Sequence, residues 1–302
     1  MKLTKTRRAA VGVVGVAVFT LALSACGSKA SENPGAGSSP STSVDASLAA
    51  MVPADIKADG KILVGTDSSY APNEFLDTDG KTVIGMDVDL FDAVAAKLGL
   101  KTEWQSGDFG TLISGVQSGK YEAAVSSFTI NKEREANANM ISYFSAGTQW
   151  AQKTGGNVDP DNACGLSIAV QQNTVQVDDL KSRSTKCTQA GKKPITINQY
   201  QLQDDATASV VSGKNVAMLA DSPVSAYAVK KSNGQLALVG DIYDSAPYGF
   251  VVAKAQTDFA NAIKGAVQAL IADGTYDKIL SNWGVQAGAI PANQVAVNPP
   301  AS

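Results

Sequence analysis

The chain contains no histidine, only three cysteines in 302 residues, and aromatic residues at 6%. Without histidine it lacks the side chain that titrates nearest neutrality and most often ligates metals. The cysteines show no C-x-x-C spacing, which argues against both a thiolate zinc site and a dithiol redox motif. Charged residues are sparse at 18% and the net charge is −3, so nothing in the overall charge favours nucleic acid. The segment nearest to a phosphate-binding loop runs from Gly115 to Gly119-Lys120. It is one residue short of the required spacing, and Tyr121 follows where Ser or Thr is needed. Hydrophobic residues make up 44%, enough for a packed core, and the length allows one large domain or two modest ones.

One long uncharged apolar run is present, Ala9 to Leu23, behind a basic stretch of Lys2, Lys5, Arg7 and Arg8. It is too short to span a bilayer as a helix and suits a signal peptide over residues 1–25. The run ends in Leu23-Ser24-Ala25-Cys26-Gly27, which resembles the lipobox of bacterial lipoproteins. That resemblance implies cleavage before Cys26, lipidation of its thiol, and anchoring to the outer face of the cell membrane. Several acyl chains hold stably, because each buried methylene contributes about 0.8 kcal/mol. Loss of residues 1–25 leaves 21 basic and 28 acidic residues, a mildly acidic surface that would not cling to phosphate-rich polymers. With Cys26 assigned to lipid, Cys164 and Cys187 form an even pair in an oxidising compartment, and a disulfide between them is expected. It would stabilise the fold by roughly 3 kcal/mol on the chain-entropy account.

Residues 28 to about 50 are rich in Ser, Ala, Gly and Pro, a composition expected of a flexible tether. From Lys61 onward strands and helices alternate. Ile62 to Gly65, Glu122 to Ser126, Ile168 to Val170, Ile195 to Ile197, Val216 to Ala220, Leu236 to Val239 and Tyr248 to Ala253 read as strands. Asp87 to Leu98 has apolar residues at helical spacing and Gly99 to close it. Further helices are expected over Thr111–Val116, Val175–Ser182, Asp204–Ser212, Pro223–Lys231 and Phe259–Trp283, the last interrupted near Gly274. Strand–helix alternation indicates an α/β fold with largely parallel sheets. Two successive series suggest two lobes with a ligand cleft between them, at the carboxyl ends of the strands.

Several motifs then stand in order. Val64-Gly65-Thr66-Asp67-Ser68-Ser69-Tyr70-Ala71-Pro72, Gly85-Met86-Asp87-Val88-Asp89-Leu90, Ser126 to Arg134 (SSFTINKER), Asp221-Ser222-Pro223 and Asp273-Gly274-Thr275-Tyr276 are similar in sequence and spacing to the polar amino acid-binding proteins of ABC importers. The resemblance covers residues 61 to 285. It implies a two-lobed periplasmic-binding-protein (Venus-flytrap) fold with two hinge strands. The expected organisation is a signal peptide (1–25), a lipidated tether (26–55), lobe one (56–149, returning over 246–287), lobe two (150–245) and a C-terminal tail (288–302).

A zwitterionic ligand needs a cation, an anion and neutral hydrogen-bonding groups, because burying its charges unpartnered costs several kcal/mol. Arg134 is the expected carboxylate clamp, since a guanidinium can grip a carboxylate bidentately. Taken alone, the run around it reads rather as an exposed charged helix face, and it is the resemblance of the motif that implies the clamp. Asp221, at the end of an apolar strand, is the expected partner of the ligand ammonium, although it could also cap the following helix. Ser127 and Thr129 match the family's contacts to the ligand's α-groups. Asn173-Thr174-Val175 stands at the place of the family's "GTT", where amides at a helix start hold the carboxylate. Asn173 there tolerates a left-handed backbone, and Val175 can offer only its amide. Tyr70 and Phe109 align with the aromatic pair that sandwiches the ligand stem. The family's "PFE" is Pro72-Asn73-Glu74 here, so an aromatic is missing unless Phe75 replaces it. Asp67, Glu74 and Gln171 favour a cationic or amide ligand side chain.

The expected mechanism is hinge closure about Phe144–Gln152 and Asp244–Tyr248, followed by docking on the permease. The expected protein is a monomer that uses no cofactor and no metal, performs no catalysis and binds no nucleic acid. Two alternatives stay open: a cyclohexadienyl dehydratase-like enzyme on the same scaffold, with Glu74 as its acid or base, and a lipoprotein that presents ligand to a sensor.

Overall fold

The computed structural model describes residues 43–300. The signal peptide, Cys26 and the first part of the tether lie outside the described residues. Strands β1 (Lys61–Thr66), β2 (Ser69–Tyr70), β3 (Glu74–Leu76), β4 (Val83–Ile84), β5 (Lys101–Ser106), β6 (Ala123–Thr129), β7 (Ala138–Lys153), β8 (Ser167–Gln171), β9 (Thr196–Tyr200), β10 (Ala217–Asp221) and β11 (Leu236–Ala253) are present. They alternate with helices α1 (Ala46–Ala50), α2 (Ala54–Asp59), α3 (Met86–Lys97), α4 (Phe109–Gln117), α5 (Lys132–Asn137), α6 (Val175–Gln189), α7 (Gln203–Val211), α8 (Ser222–Lys231), α9 (Thr257–Ala272) and α10 (Thr275–Trp283).

Eight strands form one sheet in the order β5-β1-β6-β11-β7-β10-β8-β9. At one end β1 runs parallel to β5 and β6; at the other β8 runs parallel to β9 and β10. Each end carries its own core. Ile62, Val64, Leu90, Phe91, Phe250 and Ile263 belong to the first lobe, with Phe109, Leu112 and Phe128 on the opposite face. Trp150, Ile168, Val170, Leu180 and Leu219 belong to the second, with Ala206, Val210 and Met218 opposite. Burial on both faces explains why these strands are short continuous apolar runs. The α/β, two-lobed architecture is the one the sequence indicates.

β7 and β11 join the lobes. They pair antiparallel from Ala138↔Ala253 to Lys153↔Leu236, with the register broken between Val239 and Tyr243 and again between Tyr243 and Ala246. The sequence predicts two separate strands within β11, because Gly240 to Pro247 has no apolar period. Pairing with β7 carries the strand through that polar stretch. At the break a Cβ on Gly147 would stand 2.6 Å from both Tyr243 O and Ile242 Cγ2, so the close approach of the two strands requires glycine.

Two boundaries differ from expectation. The tether expected over 26–55 gives way to folded structure by Asp45, whose carboxylate accepts from Ser47 N (2.9 Å) and Leu48 N (3.2 Å) and caps α1. Leu48 sits against Gly265 of α9, and Val52 and Ile56 are buried. A few apolar residues in a Ser/Ala-rich stretch sufficed to dock it. The segment expected as a tail over 288–302 covers the outer edge of β7. Ser142 N donates to Ala296 O (2.9 Å) and Asn298 N to Met140 O (2.7 Å). Ile290 and Val295 are buried. Pairing protects an edge that would otherwise be open.

Gly274, at φ 79°, separates α9 from α10 where the sequence places the interruption. Cys164 and Cys187 are disulfide-bonded with Cα atoms 5.5 Å apart. The bond ties the last turns of α6 to the segment before β8. It helps to explain why α6 continues to Gln189, beyond the predicted Ser182, through a polar stretch that also holds an Arg183–Asp179 ion pair (2.9 Å).

Candidate ligand-binding cleft

The carboxyl ends of β1, β6, β8 and β10 converge on a small, nearly closed cavity between the lobes. Asp67, Tyr70, Phe109, Ser126, Ser127, Thr129 and Arg134 line it from the first lobe; Gln171, Thr174, Val175, Gln176 and Asp221 line it from the second. The side chains singled out from the sequence are in this lining except Glu74, Asn173 and Phe75, whose ring packs instead near Tyr227 and Trp283 and so does not replace the missing aromatic. Ser126 and Gln176 were not singled out. Gln176 follows directly on Asn173-Thr174-Val175, and its place in the first turn of α6 was the available signal.

Arg134 is held by its own helix start. Asn131 caps α5 by accepting from Arg134 N (2.9 Å). The guanidinium lies over the rings of Phe109 (5.3 Å) and Phe128 (5.7 Å), which themselves stack at 4.9 Å. Nη1 donates to Thr129 O (2.8 Å) and Nη2 to Asn173 O (3.2 Å). Two of its five N–H groups are thus used for positioning, and three stay free for an anion. Burial lowers its pKa from the ordinary arginine value, and the charge of Asp221 opposes that shift.

Asp221 stands at the N-cap position of α8 but its side chain does not cap. Its Oδ2 accepts from Tyr70 OH (3.0 Å) and Tyr248 OH (2.7 Å), and its Oδ1 from Gln176 Nε2 (2.7 Å). Burial pushes this carboxyl up, against the pull of Tyr248, Tyr70, Gln176 and Arg134. Both tyrosines are held well above their ordinary value, by burial first and then by Asp221, so they stay neutral donors. A carboxylate can accept about four hydrogen bonds. Three are taken here, which leaves acceptor capacity for one more donor.

Asp67 closes the opposite part of the cavity. Its Oδ1 accepts from Ser69 N (3.1 Å) and Oγ (2.6 Å), and its Oδ2 from Gln171 Nε2 (3.0 Å) and Phe109 N (3.3 Å). Burial raises its pKa. Together with Tyr70 OH to Asp221 and Gln203 N to Ser69 Oγ (3.1 Å), the Gln171 bond fastens one lobe to the other. Thr174 donates its hydroxyl to Gln171 O (2.8 Å) and leaves the first amides of α6 uncapped by a side chain. Asn173 adopts φ 64°, as the sequence suggests.

Glu74 lies behind the cavity, fully buried, beside Asp87. Ser126 Oγ donates to Glu74 Oε1 and Ser127 Oγ to Glu74 Oε2 (both 3.2 Å). Ser127 N (3.0 Å) and Tyr143 OH (2.5 Å) donate to Asp87 Oδ2. Burial drives Glu74 well above the usual carboxylate range, and the Asp87 charge adds to the effect. Burial also pushes Asp87 up to about 6. Asp87 Oδ1 is buried and meets no N–H or O–H group. Burial thus favours a protonated Glu74 beside Asp87, and the two carboxyls hold Ser127, whose φ of 50° is strained for a serine. The reason Glu74 sits there is local. Gly85, at φ 144°, lets the backbone come so close that a Cβ would stand 2.0 Å from Asn73 O.

Residues 62–286 match the family model described as bacterial extracellular solute-binding proteins, family 3. The chain is 37% identical over 286 residues to the arginine-binding protein ArgT of Corynebacterium glutamicum, covering 93% of each chain. Among solved structures it is similar to an ancestral arginine-binding protein bound to arginine: TM-score 0.69, 30% identity, 74% of this chain and 98% of that one. It is also similar to an ancestral amino acid-binding protein described as a precursor of cyclohexadienyl dehydratase: TM-score 0.69, 30% identity, 76% and 97%.

Proposed function

Because the chain belongs to the bacterial extracellular solute-binding proteins, family 3, we propose that it is the lipid-anchored receptor of an ABC importer for a cationic amino acid, arginine first. The carrying observation is the charge of the cavity lining. Asp67 and Asp221 are its two carboxylates and Arg134 its one cationic side chain. That is one net negative charge, complementary to an amino acid with one net positive charge, and it disfavours glutamate. The free N–H groups of Arg134 and the uncapped amides at the start of α6 take the α-carboxylate. Asp221 takes the ammonium, Tyr70 and Phe109 flank the stem, and Asp67 with Gln171 faces the far end. The name of the Corynebacterium relative supports the same ligand.

Closure follows from where these groups stand. Only with the lobes together do both sets reach one ligand, so binding shifts an open–closed equilibrium about β7 and β11. No helix among the described residues is long and apolar enough to cross a membrane, and lipid on Cys26 would provide the anchor. Against the enzymatic alternative, Glu74 is outside the lining and is occupied in holding Ser127.

Calorimetry of the mature chain against the twenty amino acids tests the ligand. Arginine should bind with a dissociation constant of about 1 μM or tighter, about −8 kcal/mol. Tight glutamate binding with none for arginine, lysine, glutamine or histidine would falsify the assignment. The anchor is tested by labelling with a radioactive fatty acid: wild type should take up label, and Cys26→Ala should not and should be released from membranes.

A further inference from the structure

We propose that Gly110 and Asn173 form a closure seat: the Asn173 side chain beds against the bare backbone of Gly110 as the lobes meet, and this contact sets how long the ligand is held. Neither residue lines the cavity. Gly110 is the second residue of α4, whose N-cap Asp108 accepts from Gly110 N (3.1 Å). Asn173 lies in the other lobe, in the turn between β8 and α6. A Cβ on Gly110 would stand 2.4 Å from Asn173 Nδ2 and 2.8 Å from its Cγ, closer than real side chains come.

Nothing within the first lobe demands glycine at position 110. The three nearest atoms to an added Cβ all belong to Asn173, and φ there is not in the left-handed range. In a helix, glycine is less favourable than alanine. The requirement for it arises only from the other lobe. Asn173, for its part, cannot retreat as a whole. Its backbone is left-handed at φ 64° and its carbonyl accepts from Arg134 Nη2 (3.2 Å). The seat therefore adjoins the guanidinium without touching the place a ligand would take. With the lobes together an added methyl group must displace the Asn173 side chain from its seat, and with the lobes apart that contact would be absent. A strain confined to the closed form shortens residence and spares the rest.

The seat rests on the hinged-receptor function proposed above, and the test separates the two. Stopped-flow and calorimetry with arginine would compare the full mature wild type, G110A, N173G and G110A/N173G, alongside the melting temperature of each without ligand. G110A should weaken affinity about three- to tenfold, through faster dissociation, the size expected for one off-rotamer side chain. Its unliganded melting temperature should equal or exceed that of wild type, which a merely structural role would not give. Because glycine accepts the left-handed backbone at position 173, N173G should fold, and the double variant should dissociate more slowly than G110A. Wild-type dissociation from G110A, or no recovery in the double variant, overturns the seat alone. A wild type that binds none of the amino acids removes the proposed function and the seat together.

Discussion

Replacing Glu74 by alanine and by glutamine separates two descriptions of the buried carboxylates. If Glu74 is protonated beside Asp87, glutamine at 74 keeps a neutral group with an N–H to offer Asp87 and an oxygen for one of the serines. Stability at pH 7 should then fall by no more than about 1 kcal/mol. Alanine removes that donor and the acceptor of the Ser126 hydroxyl, while Ser127 Oγ keeps only its longer bond to Asp87 Oδ2 (3.3 Å). It should cost about 3–5 kcal/mol, the usual range for breaking a buried charged pair. Urea unfolding followed by circular dichroism reads both. Equal, large losses for the two variants would mean that Glu74 is ionised and its charge is needed, and the protonated Glu74 would be refuted. The pH dependence supplies a second reading. Burial raises Asp87 from 3.8 to about 6. Between those values the unfolded chain has released a proton that the folded chain retains, so stability falls as pH rises. The Asp87 part of this fall is expected between about pH 4 and pH 6. Asp87→Asn should flatten that part of the curve; an unchanged slope would remove Asp87 as its source.

Arg134→Lys should weaken arginine binding about 100-fold, because a point charge replaces a planar fork that grips carboxylate and carbonyls at once; a loss below about threefold by calorimetry would exclude the clamp. Asp67→Asn removes a carboxylate from the far end of the cavity and should cost arginine about tenfold while leaving any glutamine affinity nearly unchanged; equal losses for both ligands would show that Asp67 does not sense side-chain charge. Substituting Cys164 and Cys187 together by serine should reduce stability by about 3 kcal/mol. That corresponds to a melting temperature lower by about 6–10 °C for a domain of this size, and an unchanged melting temperature would show that the bond does not constrain the unfolded chain.

Local chemistry made much of the protein legible in advance. The apolar runs of β1, β6, β8 and β10 declared strands buried on both faces, and Gly274 declared the break between α9 and α10. The even cysteine pair indicated its disulfide. Asp221 and Thr129 could be placed because the fold delivers residues at strand carboxyl ends to the cleft, and Arg134 because the SSFTINKER motif fixed its position. Composition misled where a few contacts outweighed many polar residues: Leu48, Val52 and Ile56 dock a stretch that reads as tether, and Val295 docks one that reads as tail.

What the sequence by itself determined is the alternation of elements, the two-lobed α/β class and the residue types available to hold a charged amino acid, because each follows from local pattern and spacing. Tertiary structure alone decided which carboxylates face the cavity. Asp67 and Asp221 do, while Glu74, a few residues from Asp67 in the chain, turns back toward Asp87. It also decided that Asn173 rests on Gly110, for both facts depend on how separate segments approach one another, and no neighbour in sequence records that distance.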